Sequence, residues 1–96
     1  MSKQGGIART TSDSARRGLL RLMLRLPALR GKLQIVAAKS AELDDLFEAY
    51  DDASIALERF QRDQNVTRMA EYESICSGIE NDVIQNLLSA RFNDPN

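Results

Sequence analysis

The sequence predicts an all-α fold: an antiparallel two-helix hairpin with an additional basic amphipathic helix near the N-terminus. Apolar residues recur every three or four positions through residues 43–60 and again through 69–90, the period of a helix with one buried face. The alternating pattern typical of strands is scarce. The chain has 96 residues, enough for a single domain with a modest core.

The composition changes along the chain and places the element boundaries. Residues 1–13 are polar, rich in Gly, Ser and Thr and aperiodic, so we expect a disordered N-terminal tail. Residues 14–92 are expected to form one helical domain, with helices at about 14–26, 41–63 and 66–91. Residues 93–96 are expected to fray. The run LQIVAA (33–38) is strand-like, but it is too short and isolated to form a sheet.

The stretch RRGLLRLMLRL (16–26) predicts a helix with an unusually wide apolar arc. At 100° per residue, three leucines share one face and two others point nearly the opposite way. The first set is Leu19, Leu22 and Leu26, and the second is Leu20 and Leu24. A stripe at i, i+4 and i+8 consists of Arg17, Arg21 and Arg25. Pro27 then ends this helix, or allows a short one to restart through ALRGKLQIVAAK.

Four interpretations of this stretch remain open. In the first, the stretch is part of the fold: Leu19, Leu22 and Leu26 cover the hairpin while the arginines contact its acidic surface. In the second, the helix also binds a protein partner, which explains why Leu20 and Leu24 would stay exposed. A transit peptide fits the Arg- and Ser-rich, acid-poor composition, and a membrane-surface helix fits the combination of basic and apolar faces. A spanning helix is excluded by the four arginines.

The helix at 41–63 is predicted from an acidic start and one apolar seam. Ser40 is a candidate N-cap, because acidic residues follow it in the first turns, where the helix dipole favours them. The seam residues at 3-4 spacing are Leu43, Leu46, Tyr50, Ala53, Leu57 and Phe60. Phe47 widens this seam. Ile55 lies on the outer face among acidic residues, and we interpret it as a candidate contact.

The helix at 66–91 has a cap at Asn65 or Thr67 and a seam of its own. Its seam residues are Met69, Tyr72, Cys76, Ile79, Val83 and Leu87. The short break before this helix favours an antiparallel hairpin that opposes Leu57 to Tyr72 and Leu46 to Val83. Apolar residues outside this seam, Ile75, Ile84 and Leu88, are expected to form a groove for a third helix together with Phe47, at the edge of the first seam. Cys76 is interpreted as a small buried hydrophobe rather than a redox switch.

The composition excludes several common kinds of catalytic and metal-binding site. The chain has no histidine and one cysteine, so it lacks a His base, a catalytic triad and the ligands of a zinc site. No phosphate-binding glycine pattern occurs. We therefore expect no enzyme, no cofactor and no metal. A lone cysteine fits the reducing cytoplasm.

The charge is strongly divided between the two parts of the chain. Residues 1–39 carry nine basic residues against one acidic, and residues 40–96 carry four basic against thirteen acidic. The two parts should attract each other or seek different partners. Direct DNA binding is not expected, because the acidic helices would repel phosphates and no base-reading motif occurs. The candidate partner-contact residues are Leu20, Leu24, Arg17, Arg21, Arg25, Ile55, Ile84 and Leu88.

About half the chain carries a recognisable pattern in LDDLFEAYDDASIALERF and RMAEYESICSGIENDVIQNLL. Its residues are Leu46, Tyr50, Ala53 and Leu57, then Glu71-Tyr72-Glu73, Ile75-Cys76, Ile79-Glu80 and Asp82-Val83-Ile84. This pattern resembles the QseM-type family of rhizobial quorum-sensing antiactivators, small helical proteins. The basic stretch at 16–26 is not part of the resemblance.

The resemblance implies a small regulatory protein that binds and inhibits transcriptional activators. Its partners would be a TraR-type activator of the LuxR family and a second activator that controls excision of a symbiosis island during horizontal gene transfer. Two other classes remain open from the residues alone: a structural or assembly subunit completed by an oligomeric partner, and a membrane-surface adaptor. The oligomeric state is left open.

Overall fold

The computed structural model describes residues 11–89, and every regular element in that range is helical. The predicted all-α class is confirmed. The helices are α1 (Asp13–Arg25), α2 (Arg30–Lys39), α3 (Asp44–Arg62) and α4 (Val66–Leu87), with a 3₁₀ turn at Pro27–Leu29 between α1 and α2. Most of the expected N-terminal tail and all of the expected fraying C-terminus lie outside the described residues.

α1 begins one residue earlier than predicted, because Ser12 caps it. The Ser12 hydroxyl accepts the backbone N–H of Ala15 at 3.1 Å and donates to Oε2 of Glu48 at 2.7 Å. One side chain therefore starts α1 and ties it to α3. Ser12 and Asp13, which the composition assigned to the disordered tail, belong to the folded part.

The predicted N-cap at Ser40 is wrong. The Ser40 hydroxyl accepts the N–H of Glu42 at 3.0 Å, which makes a local turn, and α3 begins only at Asp44 without a side-chain cap. The side chain of Ser40 thus competes with the helix instead of starting it. The cap of α4 follows the prediction, since Oδ1 of Asn65 accepts the N–H of Arg68 at 3.1 Å. α4 ends at Leu87, four residues before the predicted end.

α2 is the short helix whose restart after Pro27 was one of the two possibilities left open, although the three expected helices did not include it. The strand-like run at 33–38 lies inside it, and Leu33 and Val36, three residues apart, are buried on its inner side. Pro27 occupies the first position of the preceding 3₁₀ turn, where its missing N–H costs nothing. Burial of these two side chains, rather than any marked amphipathic pattern, accounts for the helix.

α3 is the central element and contacts both α1 and α4. The rings of Phe60 and Tyr72 lie 5.4 Å apart near the connection, and the Tyr50 hydroxyl donates to Glu80 at 2.6 Å farther from it. These two contacts make α3 and α4 antiparallel. Their connection is the three residues 63–65, with Gln64 in the left-handed region at φ 55°.

The two expected seams supply much of the interior. The buried seam residues are Leu43, Tyr50, Ala53, Cys76, Val83 and Leu87. Those that are half-buried are Leu46, Leu57, Phe60, Met69, Tyr72 and Ile79. Phe47, which was expected at the edge of its seam and in the groove for a third helix, is among the largest fully buried side chains.

α1 packs across α3 at a very close crossing. A Cβ atom built on Gly18 would overlap the carbonyl oxygen of Phe47, so only glycine permits this approach. Leu22 is fully buried beside the crossing. Of the residues expected to receive a third helix, Phe47 lies at the crossing with α1, so this part of the prediction is confirmed. The other part is wrong, because Ile75 and Leu88 stay exposed and α1 lies on α3.

Candidate protein-contact site

The arginine stripe of α1 is used inside the molecule. Arg17 and Arg21 both bind the carboxylate of Asp51, with Nε atoms 3.2 Å from Oδ2 and 3.1 Å from Oδ1 respectively. Arg21 also reaches Glu58 on the next turns of α3, at 3.0 Å. The stripe therefore fixes α1 to α3 and leaves less positive charge on the surface for an anionic partner.

Arg25 extends the stripe to α4. Its Nε lies 3.2 Å from Oε2 of Glu80, the oxygen that also accepts the Tyr50 hydroxyl. This cluster joins α1, α3 and α4 at one point. Burial, together with the hydrogen bond to Glu80, raises the pKa of the Tyr50 phenol well above its ordinary value of 10.0.

Asp51 is the residue that the sequence analysis missed. Its side chain has no solvent exposure, although the apolar seam predicts an outer-face position for it among the acidic residues near Ile55. An ionised carboxylate is tolerated at such a place only when it is paired and hydrogen-bonded. The signal was present in the i, i+4 spacing of Arg17 and Arg21, which allows two guanidinium groups to reach one anion from one side.

A groove of about 740 Å³ opens between α1, α3 and α4. Leu24 and Arg25 line it from α1, Leu57 from α3, and Glu73 and Cys76 from α4. Burial raises the pKa of the Cys76 thiol, which fits its interpretation as a small hydrophobe rather than a reactive group. The lining combines a few apolar side chains with charged side chains from all three helices.

The expected contact residues fall at separate places. Leu20 and Leu24 are 50% and 76% exposed, one helical turn apart on the outer side of α1, and Leu24 also lines the groove. Ile55 is exposed on α3 and is not among the lining residues. Ile84 is half-buried on α4. Leu88 is exposed beyond the C-terminal end of that helix, about 12 Å along the axis from Glu80.

The groove is lined by aliphatic, polar and charged side chains. Within residues 11–89, no cluster of three or more His, Cys, Asp or Glu side chains is arranged to hold a metal ion. None of the helices in the same range is both long enough and apolar enough to cross a membrane. What the groove offers is aliphatic surface, hydrogen-bonding groups and charge.

No protein-family model, no curated protein and no solved structure matches the chain significantly.

Proposed function

We propose that the protein is a small non-catalytic regulator that acts by occupying a protein partner in stoichiometric amounts. The observation that carries this proposal is the exposure of Leu20 and Leu24 on the same helix whose arginines are bound internally. Two large aliphatic side chains exposed one turn apart on one helix mark a candidate interaction site. Each leucine that a partner buries contributes about 1.5–3 kcal/mol.

The partner class comes from the resemblance to rhizobial antiactivators. On that basis the proposed targets are a LuxR/TraR-type transcriptional activator and a second activator, and the proposed activity is quorum-sensing antiactivation in the cytoplasm. The fold supports this proposal to the extent that α3 and α4, which carry the resemblance, form two walls of the groove. α1 lies outside the resemblance and adds the third wall.

A titration tests this proposal. Purified LuxR-type activator bound to labelled promoter DNA is mixed with increasing amounts of the protein, and DNA binding is followed by fluorescence anisotropy. Because occupancy follows mass action, we expect release to be complete near equimolar amounts once concentrations exceed the dissociation constant. Complete inactivation by a small fraction of the activator concentration, persisting after the protein is removed, would contradict occupancy. An activator that stays on DNA at a large excess of the protein would contradict the choice of partner.

The second candidate is a structural or assembly subunit, and the same two leucines favour it, because exposed aliphatic ridges also join copies of one chain. Sedimentation equilibrium of the purified protein separates the two. A monomer that releases the activator supports regulation. A stable oligomer that dissociates when Leu20 and Leu24 are replaced by serine, and that leaves the activator on DNA, supports assembly. A membrane-surface role is less favoured, because the apolar face around Leu22 is already buried.

A further inference from the structure

The groove has walls from three helices, and two of them supply aliphatic side chains. The lining residues come from positions 21–25 of α1, 50–61 of α3 and 73–80 of α4. Helices bind apolar grooves by inserting aliphatic side chains spaced three or four residues apart. Leu24 on α1 and Leu57 on α3 supply the apolar surface that such a side chain would contact.

The charged residues that line the groove nearly cancel, and one negative charge is left over. Two ion pairs cancel within the groove: Arg21 with Glu58, and Arg25 with Glu80. Glu73 also lines the groove, and among residues 11–89 it has no ion pair or hydrogen bond. The groove therefore presents one exposed, uncompensated carboxylate on its α4 wall.

From this arrangement we infer that the groove binds one amphipathic helix of a protein partner, with an aliphatic anchor between Leu24 and Leu57 and a lysine or arginine paired with Glu73. The inference rests on the proposed function, since it names the chemistry of the partner at the same site. Aliphatic contact supplies the affinity, and the basic residue selects among helices of similar shape.

A second copy of the chain fits the groove less well than a different protein. α1 is itself a wall of the groove, so a reciprocal contact would place the α1 helices of the two copies side by side. Arg17 and Arg25, on the exposed side of α1, are already paired with Asp51 and Glu80, so neither is available to pair with Glu73 of another copy.

The test uses three designed peptides of about 16 residues, long enough to be partly helical when the ends are blocked. All three peptides carry leucine at positions i and i+4. They differ only at the two positions that flank this leucine pair, which are both lysine, both glutamine or both glutamate. Fluorescence anisotropy at low salt gives their dissociation constants for the full-length protein. We expect the lysine peptide to bind about threefold tighter than the glutamine peptide, and the glutamate peptide to bind weakest.

Substitutions assign the effect to the groove. Glu73→Gln should abolish the differences in affinity among the three peptides. Asp82→Asn removes the same charge from an exposed α4 residue outside the lining, and it should preserve these differences. Leu24→Ser should weaken all three peptides, whereas Ile35→Ser, at an exposed isoleucine of α2 outside the lining, should not.

Equal affinity for the three peptides, an order that survives Glu73→Gln, or no binding of any peptide would each overturn the inference. Self-association of the unmodified protein that Leu24→Ser abolishes would assign the groove to a second copy and would overturn it as well. No activator is present in these measurements, so their failure is distinguishable from failure of the activator titration.

Discussion

Nε of Arg21 lies 3.1 Å from Oδ1 of Asp51, a carboxylate with no solvent exposure at the middle of α3. Arg17, one turn earlier on α1, binds the other oxygen of the same group. A single buried anion thus holds two successive turns of the neighbouring helix. Asp51 therefore fixes the position of α1, and with it one wall of the groove.

Asp51→Asn should destabilise the protein, because the amide keeps the shape of the side chain but cannot serve as the anion for two guanidinium groups. Hydrogen bonds to charged groups contribute about 1.5–3 kcal/mol, and we expect a loss in that range. Urea denaturation followed by circular dichroism measures it. Asp52→Asn, at the exposed neighbouring position, is the control and should change stability by less than about 0.5 kcal/mol. Equal effects of the two substitutions would contradict the role of Asp51.

Gly18→Ala should destabilise the protein even though alanine is the better helix former. The added Cβ would overlap the carbonyl oxygen of Phe47, and α1 would have to move away from α3. Overpacking of this kind costs about 1–3 kcal/mol. Gly31 and Gly78 are helical glycines with open space around the position of a Cβ. Gly31→Ala and Gly78→Ala should each stabilise the protein, by up to about 1 kcal/mol. A stabilising Gly18→Ala in thermal unfolding would mean that the crossing is looser than described.

The two leucine faces of α1 should separate folding from binding. Replacing Leu19 and Leu22 with serine should unfold or strongly destabilise the protein, because removing one buried leucine already costs about 2–5 kcal/mol. Replacing Leu20 and Leu24, which are exposed, should leave the melting temperature nearly unchanged and weaken release of the activator from DNA. If both double variants unfold the protein equally, α1 serves only the core. If neither alters folding or binding, the two-faced interpretation fails.

Stability should fall at alkaline pH through Tyr50. Its pKa is raised above the ordinary 10.0 in the folded protein, so the folded state holds the phenolic proton more tightly than the unfolded state. The resulting stabilisation is complete below pH 10 and is lost progressively as the pH rises above it. Urea denaturation between pH 8 and about 11 measures this loss of stability. The loss should begin near the ordinary pKa of the tyrosine phenol, which applies in the unfolded state. Tyr50→Phe should make the alkaline part of the profile less steep, and the slope that remains belongs to the thiol of Cys76, whose pKa burial also raises. A profile that keeps its alkaline slope in Tyr50→Phe would assign that slope to other groups.

The sequence predicted the helical class because the apolar period of 3.6 runs through two long segments. It also located the cap at Asn65, where a single local hydrogen bond decides the start of α4. α2 could not be predicted in the same way. Its inner residues Leu33 and Val36 are too few to form a marked stripe, and the helix depends on packing that only the tertiary structure provides.

The candidate site was predictable only in part. Leu24 and the arginine stripe were recognised from α1 alone, because their angular positions follow from helix geometry. Asp51 was not recognised, because one apolar seam on α3 implies one buried face, whereas α3 is covered on two sides. Leu57 was expected to be fully buried, yet it is half-buried and lines the groove. A charged residue can be buried between helices only where a residue from a distant part of the chain pairs with it, and such pairs depend on the tertiary structure.

The 34 residues that separate Arg17 from Asp51 have a consequence for the order of folding. α3 and α4 meet across a three-residue connection, so their contacts form with little loss of chain entropy, whereas docking of α1 must close a long loop at a cost of about 3 kcal/mol. α1 should therefore dock last and open first, as a separate cooperative unit. Native-state hydrogen exchange would register this as faster exchange of amides in α1 than in the middle of α3. Uniform protection of both helices would show that they open together. A segment that opens ahead of global unfolding would let a partner gain access to the Phe47 side of α3 without unfolding the pair α3–α4.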